Sequence, residues 1–329
     1  MDAQPTEAQR RWMGLKFGML LHFGINTYYD VEWSDGTLDP RKYNPVELDT
    51  DQWCAAAHEA GQRFVVITAK HHDGFCNWPT KHTDYSIKAT PCRKDVLGEL
   101  ANSAQKKGLG LGFYYSLWDR RHDKGDDAAY ADFMLGQLDE LCTMYGPLVE
   151  LWFDGAWEKI WPDRSGNSDE AWKQWTPEHF QKSWEQTMRP RWRWDSVYGE
   201  IKKRQPGAIV INNTTTHFPG RPLYPCDARP GEKATTGEPD CKVWTCDGRE
   251  VYLPLQVETT LSQKGPKGFF ESGSWFWHDW DHTVASRDQI LDWLDKAEAK
   301  EAVLLLNCGI MASGRMRPED ELALRGLRG

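Results

Sequence analysis

Short apolar runs alternate along this chain with segments whose apolar residues recur every three or four positions. The runs at 17–21, 64–68, 109–115, 149–153, 208–212 and 302–307 are too short for helices and end at breakers or polar clusters. They read as buried strands. The periodic segments read as amphipathic helices. Residues 50–60 turn Trp53, Ala56, Ala57 and Ala60 to one side and stop at Gly61. Residues 96–107 do the same with Leu97, Leu100, Ala101 and Ala104 and stop at Gly108. Further helices are expected over about 128–145, 177–204 and 287–300. Continuous apolar strands alternating with such helices imply a parallel sheet covered on its faces. No G-x-G-x-x-G follows any strand, which disfavours an open dinucleotide-binding sheet. A (β/α)8-type barrel is therefore predicted, irregular around residues 213–285, where Gly, Pro, Thr and Cys are dense and periodicity is weak. A loop region that long in a compact domain is usually functional.

The length of 329 residues suits one barrel of this kind. No internal repeat or linker divides the chain, so a single domain over 1–329 is expected, ending at Gly329 straight after a final helix. The net charge of −9 and the lack of a basic run argue against a nucleic-acid or membrane-surface partner. No apolar stretch approaches the ~20 residues needed to span a bilayer. Met1-Asp2-Ala3-Gln4-Pro5 lacks the layout of a signal peptide. The chain reads as soluble, and a leader already removed would leave the same reading.

Eight cysteines, at 54, 76, 92, 142, 226, 241, 246 and 308, contain no C-x-x-C and no zinc pattern. Cys226, Cys241 and Cys246 cluster in a loop-like region that would admit a disulfide in an oxidising compartment. Eighteen tryptophans exceed what core packing needs. Seven of them, at 157, 161, 172, 175, 184, 192 and 194, fall in what reads as an elaborated loop and helix beside the site. Aromatic faces suit the apolar C–H side of a pyranose, although any single ring is more simply explained by packing.

Chemistry-bearing residues collect where the strands end, which in an α/β barrel is the active-site face. The first strand leads into His22, and the second into Lys70-His71-His72-Asp73-Gly74-Phe75 with Trp78 beyond. The third leads into Tyr114-Tyr115-Ser116 and Trp118-Asp119, and the fourth into Asp154-Gly155. Asp154 is placed either for catalysis or for capping the next helix. Adjacent His71 and His72 would point to opposite sides unless the strand has already ended. A zinc site from His22, His71 and Asp154 lacks any tight ligand pair, so hydrogen bonding to sugar hydroxyls is the better reading of the histidines. His82 reads as structural. No G-x-S-x-G elbow is present. A carboxylate pair remains, as glycoside hydrolysis requires.

The stretches Lys16–Gly24, Lys70–Phe75 with Trp78-Pro79, Tyr114-Tyr115-Ser116, Leu151–Gly155 and Leu304–Gly309 resemble, in order, the motifs of α-L-fucosidases of glycoside hydrolase family 29. Gly314 and Pro318-Glu319-Asp320 continue the series. The resemblance implies a retaining exo-α-L-fucosidase acting on terminal fucose of an oligosaccharide or glycoconjugate, without a cofactor. It implies Asp154 as nucleophile and His22, His71, His72, Trp78 and Tyr114 as fucose contacts. The family's late tryptophan matches Trp275 or Trp277, and Glu32-Trp33 matches a sugar-binding acidic-aromatic pair. For the acid/base it offers Glu232 first, with Glu238 and Glu258 as alternatives. A hydrolase for α-L-galactose and a catalytically silent sugar-binding barrel are the alternative functions. Departures from the family pattern are the extended 157–194 stretch and Val257 in place of a tryptophan before Glu258. The β-sandwich that follows the barrel in many members is not expected in this chain.

Overall fold

The computed structural model describes residues 3–157, 176–214, 218–233, 241–267 and 272–328. Eight parallel strands form a barrel: β1 (Phe17–His22), β2 (Phe64–Lys70), β3 (Gly110–Ser116), β4 (Leu148–Asp154), β5 (Ile209–Asn212), β6 (Arg229–Glu232), β9 (Leu255–Thr260) and β10 (Val303–Gly309). The hydrogen-bonded order runs β5-β4-β3-β2-β1-β10-β9-β6. A parallel bridge between Ile211 and Ala228 brings the two edges together. The Asp227 carboxylate strengthens that seam by accepting from the Val210 amide at 2.9 Å and from Lys202 Nζ at 2.9 Å. An antiparallel hairpin, β7 (Val243–Cys246) and β8 (Arg249–Tyr252), stands between β6 and β9 in the chain.

The sequence explains the elements that matter most for the site. Helix α1 (Glu7–Met13) starts at a Thr6/Gln9 capping box. Its Trp12 enters the base of the barrel and donates to Glu150 Oε2 at 2.7 Å. Helices α2 (Thr50–Glu59), α3 (Val96–Lys107) and α4 (Asp127–Met144) begin at the acidic caps Asp49, Asp95 and Asp126. A large apolar layer lies between these helices and the strands, while a smaller interior cluster contains Leu20, Phe64, Val66, Tyr114, Trp152 and Leu305. Gly18 leaves room for that interior: a Cβ there would sit 2.4 Å from the Phe64 ring.

Two expectations need correction. The helix expected over 177–204 is broken into Pro177–Ser183, a wider turn at Trp184–Met188, Arg189–Arg191 and α6 (Trp194–Arg204), counting Pro177–Ser183 as α5. Pro190 removes a backbone donor, and Arg193, at φ +49, redirects the chain. The stretch read as irregular over 213–285 contains two barrel strands, β6 and β9. Of the seven tryptophans grouped between 157 and 194, those at 161, 172 and 175 lie outside the described residues. Trp184, Trp192 and Trp194 are fully buried, so packing accounts for them. All eight cysteines are thiols; Cys226 and Cys246 share a small buried cluster with Leu253, and Cys241 is exposed. Among the described residues no helix is long and apolar enough to cross a membrane.

Candidate active site

Asp154 ends β4, and Gly155 turns the chain away at φ +74. A side chain at 155 would collide with Trp118, whose Cβ would be 2.6 Å away. The carboxylate is buried yet well supplied with donors. Tyr114 Oη donates to Oδ2 at 2.5 Å, Asn213 Nδ2 to Oδ1 at 3.1 Å and the Gly155 amide to Oδ1 at 2.9 Å. Burial pushes Asp154 up to about 6, and these donors hold it from rising further.

Glu232 ends β6, two strands away from β4 across the seam. Its Oε2 accepts from the same Asn213 Nδ2, at 2.9 Å. One amide nitrogen therefore serves both carboxylates, and the two accepting oxygens can be no more than about 6 Å apart, close to the roughly 5–5.5 Å of a retaining glycosidase pair. Burial first, and the Asp154 charge second, raise Glu232 to about 7, against the opposing pull of Asn213 and Lys233. The asymmetry is informative: Asp154 has the donors of an anion, Glu232 the setting of a neutral acid.

The histidines surround Asp154. Strand β2 ends at Lys70, so His71 and His72 lie in the turn beyond it and both reach the site, their rings 4.1 Å apart. His71 stacks on Tyr114 at 5.4 Å, and His72 Nε2 stands 3.7 Å from Asp154 Oδ2. Ser116 Oγ gives its hydrogen to the Trp118 carbonyl at 2.6 Å, so His72 Nδ1, 2.7 Å from that Oγ, must be the donor there. Asn307 donates from Nδ2 to the Trp275 carbonyl and turns Oδ1 to His22 Nδ1 at 2.6 Å. Burial lowers His22 to about 4 and takes His72 well below its ordinary range. Both rings are thus neutral, with Nε2 an acceptor for a ligand hydroxyl. His71 is lowered in the same way, and its Nδ1 has no hydrogen-bond partner among the described residues.

Aromatic rings complete the lining. Trp33, Trp118 and Trp157 flank His72 at 5.1, 5.0 and 6.0 Å. Trp275 and Phe276 pack on His22 at 5.4 and 5.2 Å, and Phe276 also meets His71 at 5.0 Å. Trp275 rather than Trp277 joins the histidines, with Phe276 beside it. Glu32 fastens this loop: Oε1 accepts from the Trp275 and Phe276 amides and from His278 Nε2, at 3.1, 3.2 and 2.9 Å. His278 Nδ1 in turn meets Asp30 at 2.7 Å. Glu32 thus holds the Trp275–His278 segment beside the histidines.

Other sequence candidates lie elsewhere. Trp78 is fully buried in the layer outside the barrel and donates to Glu140 of α4 at 2.8 Å. Glu258 is sealed in the barrel interior, accepting from Trp152 Nε1 at 3.1 Å and the Gly231 amide at 2.9 Å. Glu238 lies outside the described residues. His82 is half-buried, with Nε2 3.8 Å from Glu140 and the ring edge-on to Phe133. Among the described residues no three His, Cys, Asp or Glu side chains are grouped to hold a metal. Asn213 and Phe276 are the neighbours of the site that pattern reading does not mark, whereas Trp118 stands where the third strand's polar and aromatic end places it. Asn213 had a signal, since it follows β5 as Asp154 ends β4.

Comparison with known proteins identifies the family. A family model described as alpha-L-fucosidase matches residues 38–245. Alpha-L-fucosidase 1 of Arabidopsis thaliana is 32% identical over 96% of this chain and 58% of its own length. Tissue alpha-L-fucosidase of Rattus norvegicus is 34% identical over 37% of this chain and 28% of its own length. A crystal structure of a glycoside hydrolase 29 family member from an unknown rumen bacterium superposes with a TM-score of 0.77 at 29% identity, covering 99% of this chain and 57% of that one. The chain thus spans little more than half of the Arabidopsis protein and of the rumen structure. The chain belongs to the α-L-fucosidase family, glycoside hydrolase family 29.

Proposed function

We propose that this chain is the catalytic barrel of a retaining exo-α-L-fucosidase, with Asp154 as nucleophile and Glu232 as acid/base. The observation that carries the reading is the amide nitrogen of Asn213 shared by the two carboxylates. The two N–H bonds of a planar amide diverge by about 120°, which sets the oxygens roughly 5 Å apart, a spacing for direct attack rather than for an intervening water.

The chemistry follows from the charge states. Departure of the aglycone builds positive charge on the anomeric carbon and ring oxygen of the sugar. Ionised Asp154 stabilises that charge and bonds to the carbon, while Glu232 gives its proton to the leaving oxygen. In the second step Glu232, now a base, takes a proton from water, which attacks the carbon and releases Asp154. Nε2 of His22 and His72 would accept from fucose hydroxyls. The tryptophan and phenylalanine rings around the histidines would hold the apolar side of the sugar, including its methyl group.

The test uses 4-nitrophenyl α-L-fucoside, whose leaving group needs little protonation. Asp154→Ala should lose several orders of magnitude in kcat. Glu232→Ala should keep part of the activity on this substrate, lose more on an unactivated fucoside, and be rescued by azide. Retention of most activity by Asp154→Ala would refute the assignment.

A further inference from the structure

Beneath the proposed pair, the barrel interior holds a carboxyl group that both catalytic strands lean on. Glu258, on β9, is fully buried and stands in register with Glu232 on β6. Its two oxygens are used separately. Oε2 accepts from the Gly231 amide at 2.9 Å, on the Pro230-Gly231 step that leads directly into Glu232. Oε1 accepts from Trp152 Nε1 at 3.1 Å. The Trp152 ring stacks on Tyr114, with centroids 5.3 Å apart and planes at 18°. Tyr114 is the residue that donates to Asp154 at 2.5 Å.

We infer that Glu258 is a positioning residue that ties Asp154 and Glu232 into one frame from below, one oxygen for each. The inference rests on the assignment of those two residues above. A misplacement of about 1 Å in a pair that must act together costs on the order of 100-fold in rate. Glu258 touches neither substrate nor reacting atoms in this scheme, and its burial favours the neutral form. Its oxygens, both committed to N–H donors, define where β6 and the Trp152–Tyr114 stack sit relative to each other.

Glu150 supplies the internal control. It is equally buried, two residues before Trp152 on β4, but a single oxygen, Oε2, takes both of its bonds, from Trp12 Nε1 and Gln256 Nε2 at 2.7 Å each. Its Oε1 has no hydrogen-bond partner among the described residues. Glutamine at 150 keeps both bonds through its one carbonyl oxygen. Glutamine at 258 must turn its NH2 group towards either Trp152 or Gly231, two donors, and lose one bond.

The experiment compares Glu258→Gln with Glu150→Gln in the full chain, reading kcat, KM and the pH profile on 4-nitrophenyl α-L-fucoside, with thermal unfolding alongside. Glu258→Gln should lower kcat by about 10- to 100-fold with KM within about threefold, and move at least one limb of the pH profile. Glu150→Gln should keep kcat and both limbs. Wild-type kcat and unmoved limbs in folded Glu258→Gln would overturn the inference. Should Glu258→Gln fail to fold, Trp152→Phe decides: it keeps the ring stacked on Tyr114 but removes the N–H held by Glu258, so a lowered kcat with a raised acidic limb is expected and unchanged kinetics overturn the proposal. Failure of the parent assignment reads differently, as full activity in Asp154→Ala or in Glu232→Ala on an unactivated fucoside.

Discussion

Tyr114 Oη lies 2.5 Å from Oδ2 of Asp154, a hydrogen bond of the short, charge-assisted kind. The tyrosine is itself held between the His71 and Trp152 rings, at 5.4 and 5.3 Å, so its hydroxyl has little freedom to turn away. Removing the hydroxyl in Tyr114→Phe leaves the stack and deletes the donor. A hydrogen bond to a charged group contributes about 1.5–3 kcal/mol. Because the lost bond favoured the ionised carboxylate, Asp154 should rise above about 6. The acidic limb of kcat/KM should move to higher pH, and kcat at its optimum should fall by about tenfold or more. Steady-state kinetics across pH check both.

The wild-type profile should be a narrow bell. Activity needs Asp154 ionised and Glu232 protonated, so it rises as pH passes about 6 and falls as pH passes about 7. The two groups interact, so the limbs belong to the pair. Asp154→Asn removes the negative charge that helps to raise Glu232, and the glutamic acid should then titrate at lower pH. Carbon-13 NMR of the Glu232 carboxyl in the two proteins measures that shift directly.

Asn213 should be as costly to change as a residue in direct contact with the sugar. Asn213→Ala takes one donor from each carboxylate, and both should become harder to ionise. A loss of about 10- to 100-fold in kcat is expected. Asn213→Asp should be worse, since it places a third carboxyl between two others within hydrogen-bond distance. Kinetics of the pair of variants distinguishes lost bonding from added repulsion.

Lys70 opens the Lys-His-His-Asp-Gly-Phe run but serves the fold. Its Nζ is fully buried, 2.9 Å from Asp119 Oδ2 and 3.0 Å from Tyr130 Oη, and 4.2 Å over the Tyr115 ring. Burial alone would lower Lys70, but the Asp119 charge prevails and keeps it protonated. Lys70→Met strands Asp119 with His122 as its remaining ionic partner among the described residues. A destabilisation of about 3–5 kcal/mol is expected, measured by denaturant unfolding.

The legible parts of this chain are those where burial is apolar. Helix α3 ends where the pattern ends, because Asp95 caps its start and Gly108 takes the left-handed turn at its close. Strands β6 and β9 escaped notice because they face a polar stretch of the barrel interior. Arg229-Pro230-Gly231-Glu232 has no apolar run at all, and β9 alternates Gln256, Glu258 and Thr260 with Leu255, Val257 and Thr259. The same cause explains the site. Asp154 and the histidines stood out beside apolar strands or in a recognisable run of residues. Asn213, just beyond β5, has only its place after a strand as a signal; its weight comes from the two carboxylates that share its amide nitrogen.

Incubation with a 2-deoxy-2-fluoro-α-L-fucosyl inactivator, followed by peptide mass spectrometry, tests the nucleophile most directly. The expected result is loss of activity in step with a single fluorofucosyl adduct on the peptide carrying Leu151–Gly155, at Asp154. An adduct on a different side chain, or continued turnover of fucoside by protein fully labelled elsewhere, would contradict it.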